Sequence, residues 1–372
     1  MEDRYSLEIN VPSDYIAPQF VCFPLVAVRA NPDAQNWYYQ NYMMPVARLD
    51  GINILSCEIS DAITYGTGGN TYNKVMRLSN INRVVCSQFR DIISVLRENI
   101  GKKYYCVLFL DFYYLSCAEV YYGKHHFIHE VLFYGYDNML ENFSCYGYFE
   151  HLYRVFSLPY GEVRQAFDGA LKHIETMDGW EEYMMITMRR FGHRMPSPYS
   201  NGMFLDKLET YVTGEVTEQF QHDNRMYLKP WEHSVSCAGR RVNEIFLKYI
   251  DMLMELPDEE NMDDRIVSQM AAFNVFKCCH NDMADRLVYY SERNGGKQEL
   301  GDFIQEYQSK VARKSAEIRM AYIKFLCLIE KKMSVKKMLE RLRNELSELD
   351  RHEEDILYGF LHKARQISEA GQ

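Results

Sequence analysis

Lys124-His125-His126-Phe127-Ile128-His129-Glu130-Val131-Leu132-Phe133-Tyr134-Gly135-Tyr136-Asp137 is the most informative stretch of this 372-residue chain. Histidines open a run of apolar and aromatic residues. Val131 to Tyr134 have no polar interruption, so the spacing predicts a strand buried on both faces. Gly135, Asp137 and Asn138 are turn formers that end it. His129 then stands at the mouth of a rigid strand, where a general base is held in fixed geometry. The plainer alternative is a histidine that closes a strand end. Side-chain alternation puts His125 and His129 on one side of the strand and His126 on the other. Two same-side histidines fall short of a zinc site, because no third ligand stands nearby at suitable spacing, so no metal is expected.

Working outward, residues 104–114 (YYCVLFLDFYY) read as a preceding strand with one carboxylate, Asp111, inside it. A charge in such a run is costly to bury unless it is paired or has a task. Residues 142–149 (NFSCYGYF) read as a hairpin partner, and 90–99 (RDIISVLREN) as an amphipathic helix ended by Gly101. Upstream of these, Pro18-Gln19-Phe20-Val21-Cys22-Phe23-Pro24 predicts a helix start, because proline is tolerated in a helix's first turn. Cys22 then lies at or just before a helix N-terminus, where unpaired N–H groups favour a thiolate and can receive an oxyanion. The alternative is a small buried thiol. Asn31-Pro32 ends that helix, and 33–44 form another. Thr64 to Asn70 is glycine-rich but lacks the lysine of a phosphate loop, so it reads as a turn.

From about residue 160 helical periodicity takes over, at 161–190, 203–222, 266–292 and 300–366, with an acidic connector at 254–264. Val335, Leu339, Leu342, Leu346 and Leu349 recur at three and four, a helix-packing stripe. Cys278-Cys279-His280 is a poor zinc signature and reads as helix positions. Helix then sheet then helices is an α+β order, with domains expected at 1–158 and 159–372. Together, 29 Tyr, 20 Phe and a 47% hydrophobic fraction provide a real core. The net charge of -10 argues against nucleic acid as the main partner. Ten cysteines without a CxxC pair read as reduced thiols, so a cytoplasmic location is expected. No secretory leader is expected from the start MEDRYSLEINVPSDY, nor any membrane span, since the apolar run at 104–115 is short and broken by Asp111.

A Cys at a helix start followed by a His at a strand start is the order of papain-like enzymes. A third group would orient the imidazole, with Asp111 and Glu150 the candidates. At these residues the sequence resembles the butirosin-biosynthesis acyltransferase family with its BtrH-like N-terminal domain, related to bacteriocin-processing (C39-like) and papain-like cysteine peptidases. The likeness rests on Val21-Cys22-Phe23-Pro24, on Leu110-Asp111-Phe112-Tyr113-Tyr114, and on His126-Phe127-Ile128-His129 through Gly135-Tyr136-Asp137. It covers residues 15–150, and more loosely 150–250, where Asp223-Asn224-Arg225 and Trp231-Glu232-His233 look like the helical part of the family. The resemblance implies a papain-like N-terminal domain beside a helical domain. It implies Cys22 as nucleophile, His129 as general base and Asp111 as orienter. The implied activity is transfer of an acyl group from an acyl or peptidyl carrier-protein thioester to a small amine, through an acyl-cysteine, in thiotemplated (non-ribosomal) antibiotic biosynthesis. No cofactor is implied beyond the phosphopantetheine arm of the carrier, and a homodimer is compatible with it. Two departures stand out. Peptidase relatives carry a Gln several residues before the Cys as an oxyanion donor, and here Gln19 stands three before it. They carry an Asp or Asn on the strand after the His, and Phe143 to Tyr148 hold neither. A hydrolase using the same pair, and a non-catalytic assembly-line binding protein, are the alternatives. Arg189, Arg190 and Arg194, or Lys332, Lys336 and Lys337, are the candidate basic patches for carrier docking.

Overall fold

The computed structural model describes residues 2–11, 19–41, 43–51, 54–59, 76–86, 88–89, 91–149, 152–173, 186–193, 199–215, 235–256, 269–294 and 297–370. Its strands are β1 (Arg4–Ser6), β2 (Pro45–Asp50), β3 (Ile54–Ile59), β4 (Met76–Asn82), β5 (Tyr105–Asp111), β6 (Ile128–Asp137), β7 (Asn142–Phe149), β8 (Leu152–Pro159), β9 (Ile186–His193) and β10 (Val235–Ala238). The helices are α1 (Gln19–Ala30), α2 (Pro32–Asn41), α3 (Arg83–Cys86), α4 (Ile92–Gly101), α5 (Tyr160–His173), α6 (Asn201–Thr213), α7 (Val242–Glu255), α8 (Met270–Arg293), α9 (Lys297–Tyr307), α10 (Arg313–Glu330) and α11 (Lys336–Ala370). The α+β class is as expected. The chain divides into two compact units, Met1–Asn36 with Ile63–Ser197, and Trp37–Ala62 with Pro198–Gln372.

The first unit is built on an antiparallel sheet in the order β4-β9-β5-β6-β7-β8. The opening stretch forms β6, flanked by β5 and β7, with Leu110 opposite His129 and Gly147 opposite Val131. Val131, Leu132 and Phe133 are fully buried, as their unbroken apolar run predicts. Beyond the start of β5, β1 takes over the same edge of β6, pairing Ser6 with Gly135. Glycine is required there: a Cβ at 135 would stand 2.9 Å from Ser6 Oγ and 3.1 Å from the Tyr5 carbonyl oxygen. One face of the sheet (Leu108, Leu110, Val131, Phe133, Phe143) shares a core with Ile92, Leu96 and Ile100 of α4 and Val163, Ala166 and Phe167 of α5. Asp91 caps α4 by accepting from the Ile93 N–H. The other face receives α1, whose Phe23 ring meets Tyr146 and Tyr153 edge-on at centroid distances of 6.0 and 6.4 Å, and, at its Phe109 and Ile128 end, Ala170 of α5. Cys145 lies in the α4–α5 core, so Tyr146, next along the strand, points the opposite way.

Three expectations change here. The helix expected over 161–190 stops at His173, and residues 186–193 are the strand β9 instead. Ile186-Thr187 begins a segment that β5 and β4 pair on either side, and sheet pairing overrides the weak helical pattern. The expected domain break at 158/159 therefore falls inside the first unit, while Trp37–Ala62 belongs to the second. Pro24 lies in the body of α1, not its first turn, because the helix begins at Gln19. One main-chain bond is lost to the proline ring, and burial of Cys22 through Val28 offsets that loss.

The second unit joins a three-stranded sheet, β10-β2-β3, with helices α6 to α11. The stripe Val335, Leu339, Leu342, Leu346 and Leu349 is buried, as its spacing predicts. Lys332 adopts φ 52° between α10 and α11. Glu353 of α11, fully buried, is the polar hub of the helices. It accepts from Tyr211 of α6 and Tyr307 of α9, each at 2.7 Å, and from the Asn243 amide of α7 at 2.8 Å. His280 Nε2 of α8 stands 3.4 Å away. Burial alone would raise the Glu353 carboxyl; the charge of His280 and the donated hydrogen bonds outweigh that and hold it below the usual range.

Candidate functional site

His129 is the second residue of β6. Its ring stacks on Phe127 at 5.2 Å and meets Phe112 edge-on at 5.6 Å. Burial among these rings pushes the imidazole down from 6.5 to about 4, against a small opposing effect of its backbone bond at Glu130. The ring is therefore neutral, the form that accepts a proton. Beside it lies a cavity of ≈ 200 Å³ walled by Phe112, Tyr121, Phe127, Tyr148 and Phe149, with His129 in its lining and Ala118 leaving room between the rings. An apolar cavity with a few placed polar groups is the general form of a small-molecule site.

The partner of His129 is Gln19, at the start of α1. Its amide nitrogen is 3.0 Å from Nε2 and 3.4 Å from Nδ1. With the amide donating, Nε2 accepts and the ring proton resides on Nδ1. Cys22 follows Gln19 by three residues, so the two share a helix face. Cys22 is buried, and its sulfur is hydrogen-bonded to the Tyr153 hydroxyl, with Tyr146 adjacent. Burial pushes the Tyr153 phenol well up, so it stays a neutral donor. Register puts His129 on the face of Leu110 and Val131, whereas the thiol lies with Tyr146 and Tyr153 on the opposite face; Gln19 meets His129 where the strand begins. The thiol itself is engaged by Tyr153, not by the imidazole.

Asp111 does not meet His129. In the β5–β6 register His129 lies opposite Leu110, so the next residue, Asp111, turns its side chain to the other face. There Asp111, fully buried, accepts the backbone N–H groups of Tyr113 at 3.1 Å and Phe127 at 3.2 Å on Oδ1. Its Oδ2 lies 2.7 Å from His126 Nδ1. The orienting carboxylate expected for His129 thus serves His126. Glu150, the other candidate, and the segments 223–225 and 231–233 lie outside the described residues, as do the turn at 64–70 and Arg194. His125 precedes the strand, which begins at Ile128, so it does not share a strand face with His129. Cys278, Cys279 and His280 are buried positions of α8, as expected. Lys332, Lys336 and Lys337 are exposed.

Two contacts escape sequence reasoning. The pairing of Asp111 with His126 follows from register, which needs both strands to be placed first. The contact of Gln19 with His129 spans 110 residues, and its one local sign is the three-residue spacing to Cys22. All ten cysteines are thiols outside any disulfide. Among the described residues, no helix is long and apolar enough to cross a membrane. No family model matches this chain, and no curated protein matches it.

Proposed function

We propose that the chain is an amide-forming acyltransferase with a papain-like N-terminal fold, using Cys22 as nucleophile and His129 as general base. The observation that carries the reading is α1: it presents Gln19 against His129, which lines an aromatic cavity, and carries Cys22 one turn further on. In the reaction the Cys22 thiol gives its proton to Nε2 of His129. The thiolate attacks the carbonyl of a thioester on the phosphopantetheine arm of a carrier protein. The carrier thiol leaves, taking the proton back from the imidazolium. A small amine then attacks the acyl-cysteine and loses its proton to His129; the C–S bond breaks, the Cys22 thiolate takes that proton back from the imidazolium, and the amide departs. The cavity holds the acyl group. For this sequence the thiol must leave Tyr153 and Gln19 must release Nε2. The released amide N–H groups of Gln19 are then available to the oxyanion. A thioester is already activated, so the chemistry needs no further cofactor, and ten thiols fit a reducing, cytoplasmic setting.

A second reading is favoured by the same bonds: with its sulfur on Tyr153 and its imidazole on Gln19, the chain is a non-catalytic binding protein of an assembly line. Intact-protein mass spectrometry after mixing with short acyl thioesters separates the two. An acyl adduct on the wild type that is absent from Cys22→Ala supports acyl transfer. An adduct that survives in Cys22→Ala assigns the chemistry to another thiol and overturns the reading. Thioester binding without an adduct selects the binding protein. Product analysis with and without an added amine then tells a transferase from a hydrolase, which releases free acid in both cases.

A further inference from the structure

We propose that Asp111, His126 and His173 form a binding site for one divalent transition-metal ion of the zinc type. The three come from separate elements: the end of β5, the segment entering β6, and the last residue of α5. Their ligand atoms all lie within 4.8 Å of one another. Around an ion with bonds near 2.0–2.1 Å, neighbouring ligand atoms stand roughly 3.0–3.4 Å apart. The 2.7 Å gap between His126 Nδ1 and Asp111 Oδ2 has only to open slightly. The His173 ring, now stacked on His126 at 4.1 Å, has to turn so that its lone pair faces the same point.

Four features make this more than a chance meeting. Asp111 is fully buried, and a carboxylate is kept there only with partners. The partner at Oδ2 is the His126 imidazole, with that of His173 within 4.8 Å, and imidazoles are ligands that transition ions prefer; two nitrogens and one carboxylate oxygen suit zinc, iron or cobalt better than magnesium or calcium. The Tyr113 and Phe127 N–H groups hold Oδ1 and aim Oδ2, the outer support that metal carboxylates need. Lastly, α5 passes close enough to deliver His173 only because residue 169 is glycine: a Cβ there would stand 3.0 Å from Asp111 Oδ2 and would overlap the Tyr114 ring. The His126 side chain is 43% exposed, so the ion keeps open positions for water or a ligand. Metal binding at Nδ1 displaces the hydrogen held towards Oδ2, and a neutral ring carries its proton on Nε2 instead. The site is independent of the Cys22 chemistry.

The test uses the full chain, free of any affinity tag and stripped with a chelator. Zinc is titrated against a chromophoric competitor, and cobalt(II) is added to a second sample for its absorption spectrum. One equivalent of zinc is expected to bind. His126→Ala and His173→Ala are each expected to weaken it by about tenfold or more, while His125→Ala leaves it unchanged. The cobalt spectrum is expected to lack a thiolate charge-transfer band. Equal zinc affinity in the wild type and His173→Ala overturns the proposal. So does a thiolate band, which would place the metal on a cysteine such as the exposed Cys327. If His126→Ala fails to fold, because Asp111 loses its partner, His173→Ala and the cobalt spectrum decide the matter.

Discussion

His129 gives up basicity for position. Its imidazole titrates near 4 in the folded chain against 6.5 for an ordinary histidine, because the ring is buried. Between these values the unfolded chain binds a proton that the folded one refuses. The linked stability is complete above 6.5 and is lost as pH falls towards 4, to the extent of roughly 3 kcal/mol. Urea unfolding at a series of pH values should show this slope, and His129→Gln should flatten it by a comparable amount; equal slopes would mean that the ring is solvated. The two histidine environments also make separate predictions. Asp111 bonds His126 and faces away from His129, so Asp111→Asn should leave the rate of Cys22 acylation within a few-fold of wild type in a thioester assay. A loss near a hundredfold, of the size a removed acid–base partner gives, would mean that Asp111 serves His129 after all. Gln19→Ala should lower the same rate by about a hundredfold if the amide becomes an oxyanion donor, with the fold unchanged by circular dichroism.

At the scale of elements, β5, β6, β7, α4 and the stripe of α11 were legible in the sequence because each carries a strong local pattern. The runs at 105–111 and 128–137 are largely apolar, residues 90–99 are amphipathic and end at Gly101, and Leu339 to Leu349 repeat at helical spacing. The strand β9 was not legible. It is defined by the free edge of β5, which only the folded sheet supplies. The site was half legible for the same reason: Cys22 and His129 announce themselves by residue type and neighbours, whereas their partners Gln19 and Tyr153 come from tertiary packing. Close approach of α5 to β5 makes its own prediction. Gly169→Ala forces the Tyr114 ring aside and presses on Asp111, and should cost about 1–3 kcal/mol by denaturant titration. A neutral result would show that the ring moves freely.

At the scale of the molecule, the helices of the second unit converge on Glu353, and their stability should be concentrated there. Glu353→Ala leaves two tyrosine hydroxyls without this acceptor, removes one of the two acceptors of the Asn243 amide and takes the carboxylate from beside His280, and should cost about 3–5 kcal/mol. Hydrogen exchange should then show lost protection in α6, α7, α9 and α11, and unchanged exchange in those helices would refute the role of the hub. The division of the chain also has a consequence in time. Trp37–Ala62 belongs with residues 198–372, yet it is synthesised before most of the first unit. On a ribosome adding about 5–20 residues per second, the β2–β3 hairpin emerges on the order of ten to thirty seconds before β10, the strand that completes its sheet. Throughout that interval its apolar side is a ready target for chaperones or for neighbouring nascent chains. A chain halted at residue 197 would never leave that condition.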